Sequence, residues 1–163
     1  MKPVLIAVAA VLSLAACNKP QVADQSAASK AFMEKTVKEP GVQTLPSGVA
    51  YKVVRSGPAT GLKPTLADEV KVHYEGKLVD GKVFDSSYER GQPAAMPLRG
   101  LIPAWQEALV QMRPGDEWIL YVPPEQGYGA EGAGGGEIPP NAALIFRIEL
   151  IDVLPGPGRV MQG

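Results

Sequence analysis

The side chains with the reactivity for nucleophilic or general-base chemistry are few: Ser86 and Ser87 directly after Asp85, a single histidine at position 73 and a single cysteine at position 17. The serine pair lacks the glycine-framed elbow and the nearby base of a serine hydrolase. His73 lies in an alternating run that puts it on the face opposite Val72 and Tyr74, so it reads as a solvated strand residue and not as a base. One Cys and one His build neither an internal disulfide nor a Cys/His zinc site, and no metal or cofactor is expected. Residues 127–132 spell G-x-G-x-x-G, but more glycines and then Ile138-Pro139-Pro140 follow, leaving no helix whose N-terminus could hold a pyrophosphate. That stretch reads instead as a loop presenting Tyr128. Sixteen basic against seventeen acidic residues give a net charge of -1, which offers no footprint for nucleic acid and no polybasic membrane patch.

The elements that must position these groups are short. Residues 50–55 and 70–75 alternate with the period of half-buried strands. Asp80-Gly81 between apolar flanks marks a tight hairpin. Trp105, Leu109 and Met112 fall at i, i+4 and i+7 in one amphipathic helix over 101–112, opened by Pro103 and closed by Arg113-Pro114-Gly115. Residues 118–122 form a further strand, and 144–150 the clearest one. Strands joined by hairpin-scale connections plus one helix predict an α+β fold, an antiparallel sheet with the helix on its apolar face.

The N-terminal region reads differently. Lys2 and the uncharged apolar run 4–16 have the pattern of a secretory signal, too short to span a membrane. Its end, Leu14-Ala15-Ala16-Cys17, resembles the bacterial lipoprotein signal, which implies that Cys17 is lipidated and becomes the first mature residue. Asn18 after the cysteine is similar to lipoproteins sent on to the outer membrane. Residues 1–16 are thus expected to be a signal peptide, and 17–46 a lipidated cysteine with a flexible tether reaching roughly 30 Å. Within it, Phe32, Met33 and Val37 could line a short helix capped by Ser26 or Ser29. The domain is expected over 47–154, and 155–163 as a disordered tail with nothing to pack against.

V-H-Y-E-G at 72–76, D-G-K-V-F-D-S-S at 80–87, L-I-P-A-W at 101–105, G-Y-G at 127–129, I-P-P-N-A at 138–142 and L-I-F at 144–146 occur in one order. Together they resemble the FKBP-type peptidyl-prolyl isomerase family, and the lead-in at 45–52 is similar to exported bacterial Mip-like members. The resemblance implies five to six antiparallel strands wrapped around a short helix, with an apolar pocket between them. It implies that Trp105 floors the pocket, with Tyr74, Phe84, Leu101, Ile102, Ile138 and Phe146 as walls. The Tyr128 hydroxyl would donate to a substrate carbonyl, and Asp85, paired with Arg90, would approach the reacting amide. Met96 stands in the segment 92–98 where the family often has aromatic residues.

The implied function is isomerisation of X-Pro bonds in exported proteins, with proline-containing polypeptides and macrolide inhibitors as partners. Such an enzyme would be a monomer held to the outer membrane by lipid alone, its domain in the periplasm. The rival expectation is a non-catalytic chaperone or adaptor gripping proline-containing segments in the same cavity. Catalysis fits the sparse reactive inventory. Rotation about X-Pro has a barrier of roughly 20 kcal/mol from lost amide resonance, but it breaks no bond and moves no proton permanently.

Overall fold

A computed structural model describes residues 22–157. The signal run, Cys17 and residues 158–163 lie outside the described residues. Seven strands form one antiparallel sheet: β1 (Val42–Thr44), β2 (Ala50–Arg55), β3 (Glu69–Leu78), β4 (Val83–Ser86), β5 (Ala94–Pro97), β6 (Glu117–Val122) and β7 (Leu144–Leu154). The order across the sheet is β1-β2-β6-β7-β3-β4, with β5 also paired to β3. Among the described residues two α-helices accompany it, α1 (Ser26–Thr36) and α2 (Pro103–Leu109).

The longest strands are those with the cleanest alternation. In β3, Val70, Val72, Tyr74, Gly76 and Leu78 are buried, and their neighbours face outward. In β7 the alternation runs from Leu144 to Leu150 and then shifts by one residue. The cause is a bulge: Lys71 opposes Asp152 while Val72 opposes Leu150, so Ile151 is the extra residue and Val153 returns to the core. The β3–β4 turn falls on Asp80-Gly81, with Gly81 at φ 91 and Asp80 Oδ1 accepting the Lys82 N–H at 2.9 Å. The left-handed φ is one that glycine adopts without the steric cost a Cβ would bring.

The apolar face of the sheet curls around α2. Ala104, Trp105, Ala108, Leu109 and, just beyond the helix, Met112 are buried among Val72, Leu120, Leu144, Ile148 and Leu150. Each such large apolar side chain contributes about 1.5–3 kcal/mol on full burial. Pro103 occupies the first turn, where its missing N–H costs no helical hydrogen bond.

Four expectations need correction. Residues 22–46 are not a free tether, because α1 docks on the domain and β1 joins the sheet through Val42–Thr44 against Ala50, Tyr51 and Lys52. A stripe of barely two turns predicts little for an isolated helix. Tertiary contacts hold this one: the Phe32 and Tyr121 ring centroids lie 6.1 Å apart, and Ser29 is buried with both hydrogen bonds of its hydroxyl made to the far end of the chain. Second, neither Ser26 nor Ser29 caps α1. Gln25 stands at the cap position but its side chain does not cap the helix, donating instead to the Ala23 carbonyl at 3.2 Å, and Asp24 Oδ1 accepts the Ser26 N–H at 2.8 Å.

Third, the tail packs as far as Gly156. The Gly156 N–H donates to Asp68 Oδ1 at 2.9 Å, and a Cβ on Gly156 would stand 2.0 Å from the Ala67 carbonyl oxygen. Fourth, His73 is half-buried, not solvated. Its ring stacks on Tyr88 at 4.7 Å between centroids, and Nδ1 lies 2.9 Å from Ser87 Oγ.

Candidate active site

Between α2, the end of β3 and the loop after β6 lies a cavity of about 200 Å³ lined by Tyr74, Met96, Gly100, Leu101, Ile102, Trp105, Tyr128 and Phe146. Its rings interlock. Trp105, only 4% exposed, meets Tyr74 edge-on at 5.2 Å and Phe146 edge-on at 5.3 Å, and Phe146 in turn meets Phe84 at 5.7 Å. Edge-to-face pairs at such separations add about 0.5–1.5 kcal/mol each beyond area burial.

Alternation places these side chains. Tyr74 and Gly76 share the inner face of β3, and register sets Tyr74 opposite Ile148 and Gly76 opposite Phe146 on β7. Gly76 is what lets the rings close in, because a Cβ there would stand 2.7 Å from both Phe84 and Phe146 ring atoms.

A polar cluster flanks the cavity. The Tyr74 hydroxyl donates to Asp85 Oδ2, Arg90 donates to Asp85 Oδ1, and Arg90 also donates to the Tyr74 hydroxyl at 2.9 Å. The guanidinium sits 5.5 Å over the Tyr74 ring. Partial burial pushes the Asp85 carboxyl upward, but the bonds from Tyr74 and Arg90 and the charge of Arg90 together outweigh it and hold the group below its usual 3.8. Burial pushes the Tyr74 hydroxyl up, and its bond to Asp85 adds to that. Tyr128, 39% exposed, is raised mainly by burial and further by the charge of Asp85, so at neutral pH it keeps its proton and can donate.

Ser87 secures this arrangement from behind. Its buried hydroxyl accepts the Tyr74 N–H at 2.7 Å and its own N–H donates to the Tyr74 carbonyl at 2.9 Å, tying the strand that bears Tyr74 to the segment that bears Asp85.

Of the residues singled out from sequence, Tyr74, Met96, Leu101, Ile102, Trp105, Tyr128 and Phe146 line the cavity directly. Phe84 stands behind, against Phe146, while Asp85 and Arg90 reach the cavity through Tyr74. Ile138 is buried in the surrounding core and is not part of the lining. Gly100 lines the cavity unforeseen, since a glycine without a turn signature leaves no chemical mark in the sequence. Among the described residues no group of three His, Cys, Asp or Glu could hold a metal ion.

The profile of the family described as FKBP-type peptidyl-prolyl cis-trans isomerase matches residues 61–151, and that of the domain amino terminal to FKBP-type peptidyl-prolyl isomerase matches 5–53. The chain belongs to the FKBP-type peptidyl-prolyl cis-trans isomerase family. Over 125 residues it is 54% identical to the peptidyl-prolyl cis-trans isomerase Mip of Coxiella burnetii, an alignment covering 77% of this chain and 53% of that one. It is 43% identical over 130 residues to the outer membrane protein MIP of Legionella longbeachae, covering 80% and 54%. A crystal structure of the peptidyl-prolyl cis-trans isomerase of Pseudomonas syringae pv. tomato superposes with a TM-score of 0.73 at 41% identity, covering 80% of this chain and 93% of that one. The chain thus spans about half the length of the curated relatives it matches.

Proposed function

We propose that this FKBP-type domain isomerises X-Pro peptide bonds in exported polypeptides. The observation that carries the reading is the apolar, ring-lined cavity whose lining includes the buried Trp105 and the partly exposed Tyr128. A planar amide carries more charge separation than a twisted one, so a water-poor hollow raises the ground state relative to the transition state. The Tyr128 hydroxyl holds the flanking chain through a substrate carbonyl, and Asp85, kept ionised by Tyr74 and Arg90, faces the amide as it twists. An acceleration of five decades requires about 7 kcal/mol, which desolvation and a few oriented hydrogen bonds can jointly supply.

The test is the cis-to-trans rate of an apolar-residue–proline peptide with the protein present and absent, repeated with a macrolide competitor. Faster isomerisation, suppressed by the competitor, supports the reading. Equal rates reject it and leave a peptide-gripping adaptor. Tyr128→Phe removes one neutral donor and is expected to lower kcat/KM about three- to tenfold. A change below twofold removes Tyr128 from the mechanism.

The proposed location is the outer membrane, reached by export, with lipid on Cys17 as the anchor, a periplasmic domain and a monomeric state. The lipoprotein-like end of the leader supports this, as does the relative named as an outer membrane protein. No helix among the described residues is long and apolar enough to cross a membrane. Several acyl chains, at about 0.8 kcal/mol per buried methylene, would hold the protein durably. Cys17→Ser is expected to shift it into the soluble fraction on cell fractionation, and unchanged retention would remove the anchor.

A further inference from the structure

Residues 22–29 meet the loop that follows Tyr128 at four consecutive points. The side chain of Val22 lies against Gly136, where a Cβ would stand 2.8 Å from Val22 Cγ2. Asp24 Oδ2 accepts from Asn141 Nδ2 at 2.7 Å, and the Gln25 N–H donates to the Pro140 carbonyl at 3.0 Å. Ser29, 1% exposed, donates its hydroxyl to the Asn141 carbonyl at 2.7 Å and accepts the Ala143 N–H at 2.6 Å. Ser29 thus carries no helix cap. Its side chain is committed to residues more than a hundred positions away.

The loop conveys that hold to the cavity. The Asn141 N–H donates to the carbonyl of Gly129, the neighbour of Tyr128, at 2.8 Å. Ala133 and Ile138 exchange both backbone hydrogen bonds at 3.0 Å, and the Gly132 N–H donates to the Tyr128 carbonyl at 3.2 Å. Asn141 itself has φ 56, the one non-glycine residue with a positive φ among those described. Such a conformation persists only where its surroundings over-determine it, and here Asp24, Ser29 and Gly129 bind its amide, its carbonyl and its N–H.

We propose that Ser29 and Asp24 are positioning residues for the isomerase reaction, acting through Asn141 to hold the loop that presents Tyr128 to the cavity. The proposal rests on the isomerase reading above, and deepens it by making the segment ahead of the domain part of the working site. Loosening the loop does not remove the Tyr128 hydroxyl. It lets that hydroxyl wander from its bonding position, and the loss this brings is bounded by that of removing the hydroxyl outright.

The experiment uses the full chain. Ser29→Ala is expected to raise amide hydrogen exchange at Asn141, Ala143 and Ile138 by about tenfold or more, leaving Val72 and Ile148 in the central strands unchanged. It is expected to lower kcat/KM about three- to fivefold, no more than Tyr128→Phe itself does, yet less than about twofold in a Tyr128→Phe background, because the two changes act through one hydroxyl. A purely structural role would give the same loss in both backgrounds, and that result overturns the proposal. Should Ser29→Ala not fold, the exposed Asp24→Ala tests the same link with a smaller loss, and Asp24→Asn, which keeps an acceptor oxygen, restores it. Unchanged loop exchange in the folded variants also overturns it. If the wild-type protein does not accelerate isomerisation, the functional reading fails by itself, and the exchange measurement alone then decides whether the segment holds the loop.

Discussion

Replacing Asp85 by alanine is expected to lower kcat/KM for an apolar-residue–proline peptide by about 10- to 100-fold while moving Tm little. The carboxylate joins two groups beside the cavity: it accepts from the Tyr74 hydroxyl and from Arg90, and these two also bond each other at 2.9 Å. Its loss leaves the guanidinium without a counter-charge and frees the Tyr74 ring that forms part of the wall. A hydrogen bond to a charged group contributes about 1.5–3 kcal/mol, which corresponds to the range given. Stability responds less, because the Asp85 side chain is 41% exposed and its pairing with the still more exposed Arg90 is screened by water. Asp85→Asn, which keeps an acceptor but no charge, should fall between. A kcat/KM within twofold of wild type in the alanine variant would exclude Asp85 from catalysis.

The same carboxylate sets the pH response. Its folded-state pKa is depressed, so its contribution to stability is present above the unfolded value and is lost only as pH falls through the lower folded value. Tyr128, shifted the other way, stays protonated through neutrality. The rate is therefore expected to be flat from about pH 8 to about pH 5. A bell-shaped profile centred in that window would point to an acid–base step that this site does not contain.

Gly76→Ala is expected to destabilise the fold by about 1–3 kcal/mol and to cut activity by tenfold or more. A Cβ at this position would stand 2.7 Å from ring atoms of Phe84 and Phe146, closer than any carbon contact tolerates. Both rings must shift, and Phe146 carries Trp105 with it through their edge-on contact. Relief by backbone movement is blocked, since Gly76 sits in the middle strand pairing, opposite Asp85 on one side and Phe146 on the other. Chemical denaturation and the peptide assay read the two effects separately. An alanine variant with wild-type stability and rate would mean that the rings have slack and that the cavity is not shaped by this close approach.

Local chemistry already specified much of this protein. Alternation in 70–78 and 144–150 set which residues face inward, Asp80-Gly81 set the hairpin, and the i, i+4, i+7 spacing of Trp105, Leu109 and Met112 set the helix that the sheet curls around. These follow from periods of 2 and 3.6 residues, which any short window displays. The cavity lining comes from those same inward positions, but alternation marks Tyr74, Trp105 and Phe146 only as core; it is the ordered set of motifs resembling the family that nominates them as lining.

Tertiary structure decided what depends on distant partners. The docking of α1, the joining of β1 and the seating of Gly156 on Asp68 are invisible in 22–46, which is polar and weakly periodic, and in 155–157, which is only Pro-Gly-Pro. A serine in a two-turn stripe looks the same whether its hydroxyl meets water or the carbonyl of Asn141. Likewise a glycine in a strand does not say which rings will lie against it. Such contacts join segments far apart in sequence, and only closure of the whole sheet brings them within hydrogen-bond or van der Waals range.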